Sequence, residues 1–170
     1  DQYECVPAMD VGKTTFHNWK HSDRGSLNFV QALTESCDTW FYQVGIKTGA
    51  GPILDWAAKL GFGAKCGIPL RAETDGRLPN DEYMKATHGR RIMGGDIANL
   101  SIGQGDVLVT PLQMAQAMAI VANGGTFFQT RLVQQVQTVG NEIVAAYSVR
   151  AKKTIPVSPQ TMEQVRVGMV

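Results

Sequence analysis

Ser36-Cys37-Asp38 sets a hydroxyl and a carboxylate two residues apart, at the junction between two apolar-periodic stretches. A junction of that kind can present both groups to a cleft, where a hydroxyl passes protons and a carboxylate orients a partner. The same spacing is more commonly a helix N-cap, with Asp38 accepting a free backbone N–H. Ser101-Ile102-Gly103-Gln104-Gly105 is a second candidate, since its glycines permit close backbone approach to a ligand. It is not a GxGxxG pattern and no strand is evident before it, so a tight turn ahead of the next helix is the simpler reading.

Cys5, His17, His21 and Cys37 are residue types that hold Zn²⁺, with Asp10 and Asp23 nearby, but their spacing matches no standard zinc module. Three readings stay open. A structural zinc could sit on those four residues, a Cys5–Cys37 disulfide could leave the histidines on the surface, or the residues could be unconnected.

The elements that must position these groups follow from periodicity. Leu27, Val30 and Leu33 predict a first helix over about Ser26–Thr34. Trp40, Phe41, Val44 and Ile46 predict a second, capped by Asp38 and stopped by Gly49 and Gly51. A third spans Pro52–Leu60 and ends at Gly61 and Gly63. Residues 1–25 read as irregular or short-stranded with no core of their own. Arg71–Ile97 reads as a long polar excursion with short helical pieces. Thr110-Pro111-Leu112-Gln113 carries a capping box and a proline at the first helical position, so a helix starts there and stops at Asn123-Gly124-Gly125. Its apolar, small-residue composition predicts a central buried helix. Phe127–Val139 and Glu142–Ser148 flank Gly140-Asn141 as a hairpin, and Ser158-Pro159 opens a last helix.

The 170 residues suit one domain or a large piece of one. Sixteen Lys and Arg against fifteen Asp and Glu leave a net charge of +1, no electrostatic footprint for nucleic acid. The longest purely apolar run, Ala117–Ala122, is far short of the roughly 20 residues of a membrane span. The chain starts without Met and stops inside an apolar pattern at Val167-Gly168-Met169-Val170, as a fragment of something longer would.

Taken in order, Gly25–Asn28, Ala32–Val44, Lys59–Gly63, Gly67–Leu70, Ser101–Gly105, Thr110–Ala115 and Asn123–Gly125 resemble the transpeptidase domain of class B penicillin-binding proteins, specifically the penicillin-binding protein 2 group that serves cell elongation. The resemblance covers nearly the whole chain from Gly25. It implies an α/β fold, the penicillin-binding protein transpeptidase (serine β-lactamase-like) fold, of which residues 1–170 are the helix-rich central part. It implies a D,D-transpeptidase that cross-links peptidoglycan stem peptides ending in D-Ala-D-Ala by serine acyl transfer and binds β-lactams. The parent would stand at the periplasmic face of the bacterial inner membrane, anchored by an N-terminal helix, among elongation-complex membrane proteins. Catalysis would need no cofactor. A non-catalytic scaffold, a β-lactam sensor and a serine β-lactamase are the rival readings.

The family nucleophile lies in Ser-x-x-Lys, and none of the serines here has Lys at the third following position. By the resemblance that motif precedes this region, and the strand bearing Lys-Thr-Gly follows it. Lys47-Thr48-Gly49 ends a predicted helix instead, eleven residues after Ser36, and is a coincidence of sequence. Ser36-Cys37-Asp38 matches the family's Ser-x-Asn motif. Ser36 is then the proton-relay hydroxyl, and Asp38 orients the nucleophile's lysine and the substrate. Some members hold a metal just before this motif with Asp, His and Cys. Cys37 matches, whereas Asn18 and Arg24 stand where the Asp and His fall. A zinc here would have to be rebuilt from Cys5, His17, His21 or Asp23. The isolated fragment is expected to be inactive.

Overall fold

The computed structural model describes residues 1–170. Its strands form four separate antiparallel pairs, and seven helices carry the rest of the regular structure. None of these helices is long and apolar enough to cross a membrane.

Strand β1 (Gln2–Cys5) pairs with β4 (Gly25–Asn28), while β2 (Ala8–Val11) and β3 (Thr14–His17) form a hairpin between them. The predicted first helix is therefore shorter than its apolar spacing suggests. Gly25–Asn28 is extended because β1 supplies a ladder partner, and tertiary pairing overrides local periodicity. Helix α1 (Phe29–Thr34) begins where Asn28 closes a capping box with Gln31. Residues 1–25 have no separate core, as expected, but Cys5 joins the one beneath α1 and α2. That core holds Cys5, Leu27, Ala32, Cys37 and Trp40, with Tyr3, Phe29 and Phe41 packed around it.

Helix α2 (Asp38–Thr48) has Cys37, not Asp38, as its N-cap. Asp38 is the first helical residue, and its carboxylate bonds outside the helix. Gly49, at φ 83°, stops α2 and leads into α3 (Ala50–Lys59). The polar excursion contains α4 (Asp81–His88) and leads into α5 (Gly94–Ser101). Helix α5 crosses α2 at Gly45, where an added Cβ would overlap the Ser101 side chain.

Helix α6 (Pro111–Ala122) has the predicted capping box between Thr110 and Gln113. It is not buried all round. Gln113, Gln116, Ala117 and Ile120 face inward, while Met114 and Met118 are exposed. Gln113 is fully buried because all its polar groups are used. Its Oε1 accepts from Thr110 N at 2.8 Å, and its Nε2 donates to the carbonyls of Ala64 and Asp75, each at 2.8 Å.

The predicted hairpin is real but nested. Its inner pair is β6 (Gln135–Gln137) with β7 (Ile143–Ala146). Its outer pair joins β5 (Thr126–Phe128) to β8 (Ala151–Thr154), a lysine-containing strand that has little β propensity and is extended because β5 pairs with it. Helix α7 (Pro159–Gly168) then returns to α1. A Cβ at Gly168 would press on Leu33, and Thr34 Oγ1 shares its proton between Val30 O at 3.0 Å and the Gly168 carbonyl at 3.3 Å. A second core of Ile120, Phe127, Ile155 and Met162 lies under α6 and α7.

Candidate active site

Ser36 is exposed and stands between α1 and α2 with φ 52°, in the left-handed region that glycine usually occupies. The backbone explains the angle. Cys37 N donates to Ala32 O at 2.9 Å and Ser36 N to Leu33 O at 3.1 Å. With Glu35 as the C-cap of α1, these two bonds make a complete Schellman motif with Ser36 at C′. The apolar contact that accompanies such a motif is present, since Ala32 and Cys37 are both fully buried in the same core. A serine at C′ costs about 1 kcal/mol relative to glycine. The turn's bonds are made by its backbone, and the Ser36 side chain faces solvent.

Asp38 begins α2 and is half-buried. Its Oδ2 accepts from Trp19 N at 3.0 Å, and its own N donates to Asn18 Oδ1 at 3.0 Å. Burial pushes the Asp38 carboxyl above the usual carboxylate range, opposed by the Trp19 N–H. Glu35, on the other side of Ser36, accepts from Arg24 at 2.8 Å and Lys20 at 3.2 Å, and Arg24 first, then Lys20, holds its carboxyl below the usual range. Trp19 Nε1 donates to the Glu35 carbonyl at 3.3 Å. The segment Asn18–Arg24 thus straps residues 35–38.

The zinc set is corrected. Cys5 and Cys37 form a disulfide, with Cα atoms 6.1 Å apart, so neither can offer a thiolate. His17 and His21 face each other edge-on with ring centroids 6.2 Å apart. No three His, Cys, Asp or Glu side chains gather as a metal site. Asp10 accepts from Thr15, and Asp23 from Gly25 N. The disulfide closes a span of 32 residues and stabilises the fold by about 3–4 kcal/mol on chain-entropy grounds. Cys66 is the free, buried thiol.

Lys47-Thr48-Gly49 lies at the far end of α2, where Lys47 Nζ donates to Tyr3 Oη at 2.9 Å. Ser101–Gly105 is a helix-terminal turn, with Ser101 Oγ donating to Ala98 O at 2.7 Å and both glycines at positive φ. Neither reaches the Ser36 turn through these bonds. Asn18, Trp19 and Glu35 are the members of the strap and turn that side-chain chemistry alone did not single out. For Asn18 the sequence resemblance offered a signal, setting it where some members would have a metal-ligating Asp; here its Oδ1 accepts from Asp38 N in this turn.

The whole chain, residues 1–170, matches the penicillin binding protein transpeptidase domain. It is 40% identical over 111 residues to the peptidoglycan D,D-transpeptidase MrdA of Acinetobacter baumannii, covering 65% of this chain and 16% of that protein. Among solved structures, penicillin-binding protein 2 of Pseudomonas aeruginosa in complex with WCK 5153 superposes with a TM-score of 0.85 at 25% identity, over 99% of this chain and 38% of that one. The complex of penicillin-binding protein 2 with MreC from Helicobacter pylori gives 0.81 at 26% identity, over 99% of this chain and 30% of that one. The chain spans well under half the length of the relatives it matches.

Proposed function

Because this chain belongs to the penicillin-binding protein transpeptidase family, we propose that it is the middle of a peptidoglycan D,D-transpeptidase and that Ser36 is a proton relay of its active site. The observation that carries this reading is an exposed serine held in a left-handed backbone, at a position where glycine would be more stable. A hydroxyl kept there at an energetic cost fits a group that meets substrate.

In the family reaction a serine oxygen, from the Ser-x-x-Lys segment outside these residues, bonds to the penultimate D-Ala carbonyl carbon. The C–N bond breaks and the terminal D-Ala leaves as the amine. The proton the nucleophile loses passes through the lysine of its own segment to Ser36 Oγ as Ser36 gives its proton to that nitrogen. In the second half-reaction the amine of a neighbouring stem peptide attacks the ester carbon and the ester C–O bond breaks. The relay then runs backward from that amine through Ser36 and the lysine to the departing serine oxygen. A β-lactam would acylate the same nucleophile. Asp38, at the N-terminus of α2, orients the lysine of the nucleophile and the substrate. The chemistry needs no cofactor. The parent would act at the periplasmic face of the inner membrane with elongation-complex membrane proteins, a reading supported by the structural likeness to a penicillin-binding protein 2 that binds MreC.

In the full-length protein, Ser36→Ala should slow acylation by a fluorescent penicillin by roughly 10²–10⁴-fold. An unchanged acylation rate removes Ser36 from the mechanism.

A further inference from the structure

Helix α2 has an N-terminal problem that the chain solves from a distance. Its N-cap, Cys37, makes no capping bond with its side chain, because Sγ is bonded to Cys5. The first helical N–H, that of Asp38, lies outside the reach of any N-cap side chain, which accepts from the second or third helical N–H, and it needs an acceptor from elsewhere. Asn18, twenty residues away and only 2% exposed, supplies one through Oδ1 at 3.0 Å. The other end of the same amide, Nδ2, points at Cys5 Sγ at 3.7 Å, and Asn18 N donates to Pro7 O at 2.8 Å. The side chain is therefore held between the disulfide and the residue two places after Ser36. It touches the start of α2 and not the reacting hydroxyl.

We propose that Asn18 is a positioning residue for the transpeptidation reaction, holding Ser36 in its left-handed turn through the Asp38 backbone. This rests on the reading of Ser36 as the proton relay. The turn is fixed on its α1 side by the Schellman bonds and on its α2 side by the disulfide and Asn18. An unfavourable φ persists only where both flanks determine it. An amide suits the place because it accepts from an N–H on one side and donates toward sulfur on the other. Without it the turn keeps its fold and its hydroxyl, but the hydroxyl drifts from the geometry that proton transfer needs.

The test uses full-length protein and a fluorescent penicillin, with the noncovalent binding constant and the acylation rate constant measured separately. Asn18→Ala should lower the acylation rate constant roughly 10- to 100-fold with little change in noncovalent binding. In a Ser36→Ala background the same substitution should slow acylation no further, since there is then no hydroxyl to misplace. Asn18→Asp, which keeps the size and the acceptor, should fall between wild type and Asn18→Ala, and it carries the test if the alanine variant does not fold. A wild-type rate constant in these variants, or equal slowing with and without the Ser36 hydroxyl, overturns the proposal. Failure of Ser36→Ala itself to slow acylation would instead overturn the proton-relay reading, so the two failures are distinct.

Discussion

Ser36 carries two conflicting demands. The Schellman motif at the end of α1 wants a residue that tolerates positive φ, and the proposed reaction wants a hydroxyl. Glycine would satisfy the first and abolish the second. Ser36→Gly should therefore raise stability by about 0.5–1 kcal/mol while slowing penicillin acylation as severely as Ser36→Ala. Thermal unfolding and acylation kinetics on the two variants separate backbone strain from proton transfer. If Ser36→Gly is less stable than wild type, the turn is not strained at this residue.

At the scale of elements, the turn depends on how closely helices approach one another. Helix α5 reaches α2 at Gly45, where a Cβ would overlap the Ser101 Cβ. Gly45→Ala should cost about 1–3 kcal/mol, because both helices must move apart, and the loss should be visible as a lower urea midpoint. The start of α5 has a different dependence. Arg90 grips the Asp96 carboxylate with both terminal nitrogens, and Asp96 also accepts from Met93 N at 2.8 Å. Arg90, before any other group, holds the Asp96 carboxyl below its usual range. A carboxylate with a depressed folded-state pKa contributes stability above its unfolded pKa of about 3.9 and loses that contribution as pH falls through the lower folded value. Asp96→Asn should thus lower stability at pH 7, with the gap to wild type closing in acid below about pH 4. A gap that stays constant from pH 7 to pH 2 would show that the ion pair contributes nothing.

Across the whole molecule α7, which gives Met162 to one core, packs on α1, which gives Ala32 to the other. Gly168 brings the α7 backbone against Leu33, and the Thr34 hydroxyl ties the two together. The core beneath Ser36 is thus braced from behind by the last helix. These 170 residues contain no Ser-x-x-Lys, so they hold the proposed relay without a nucleophile for it to serve. The isolated chain should take up no covalent label from a fluorescent penicillin, as removing one member of a catalytic unit removes most of its rate. Stoichiometric labelling of the isolated chain would show that the nucleophile lies within it.

Some of this was determined by the chain locally. The capping box at Thr110 and Gln113 and the glycine stop after α2 are decided by residues a few positions apart, and they lie where the sequence puts them. The ordered motifs around Ser36 and Asp38, and hence the family and its fold, were legible for the same reason: each is a short local pattern, and only their order makes them specific. What tertiary structure decided are the contacts between residues far apart in the chain. Ser26–Asn28 falls within the expected first helix but lies in a strand, because β1 offers a ladder that no local pattern reveals. By residue type Cys5 and Cys37 left zinc, a disulfide and no connection all open, and the approach of their backbones makes them a disulfide. The acceptor for the first N–H of α2 also comes from a distant residue, Asn18, because an N-cap side chain reaches only the second or third helical N–H.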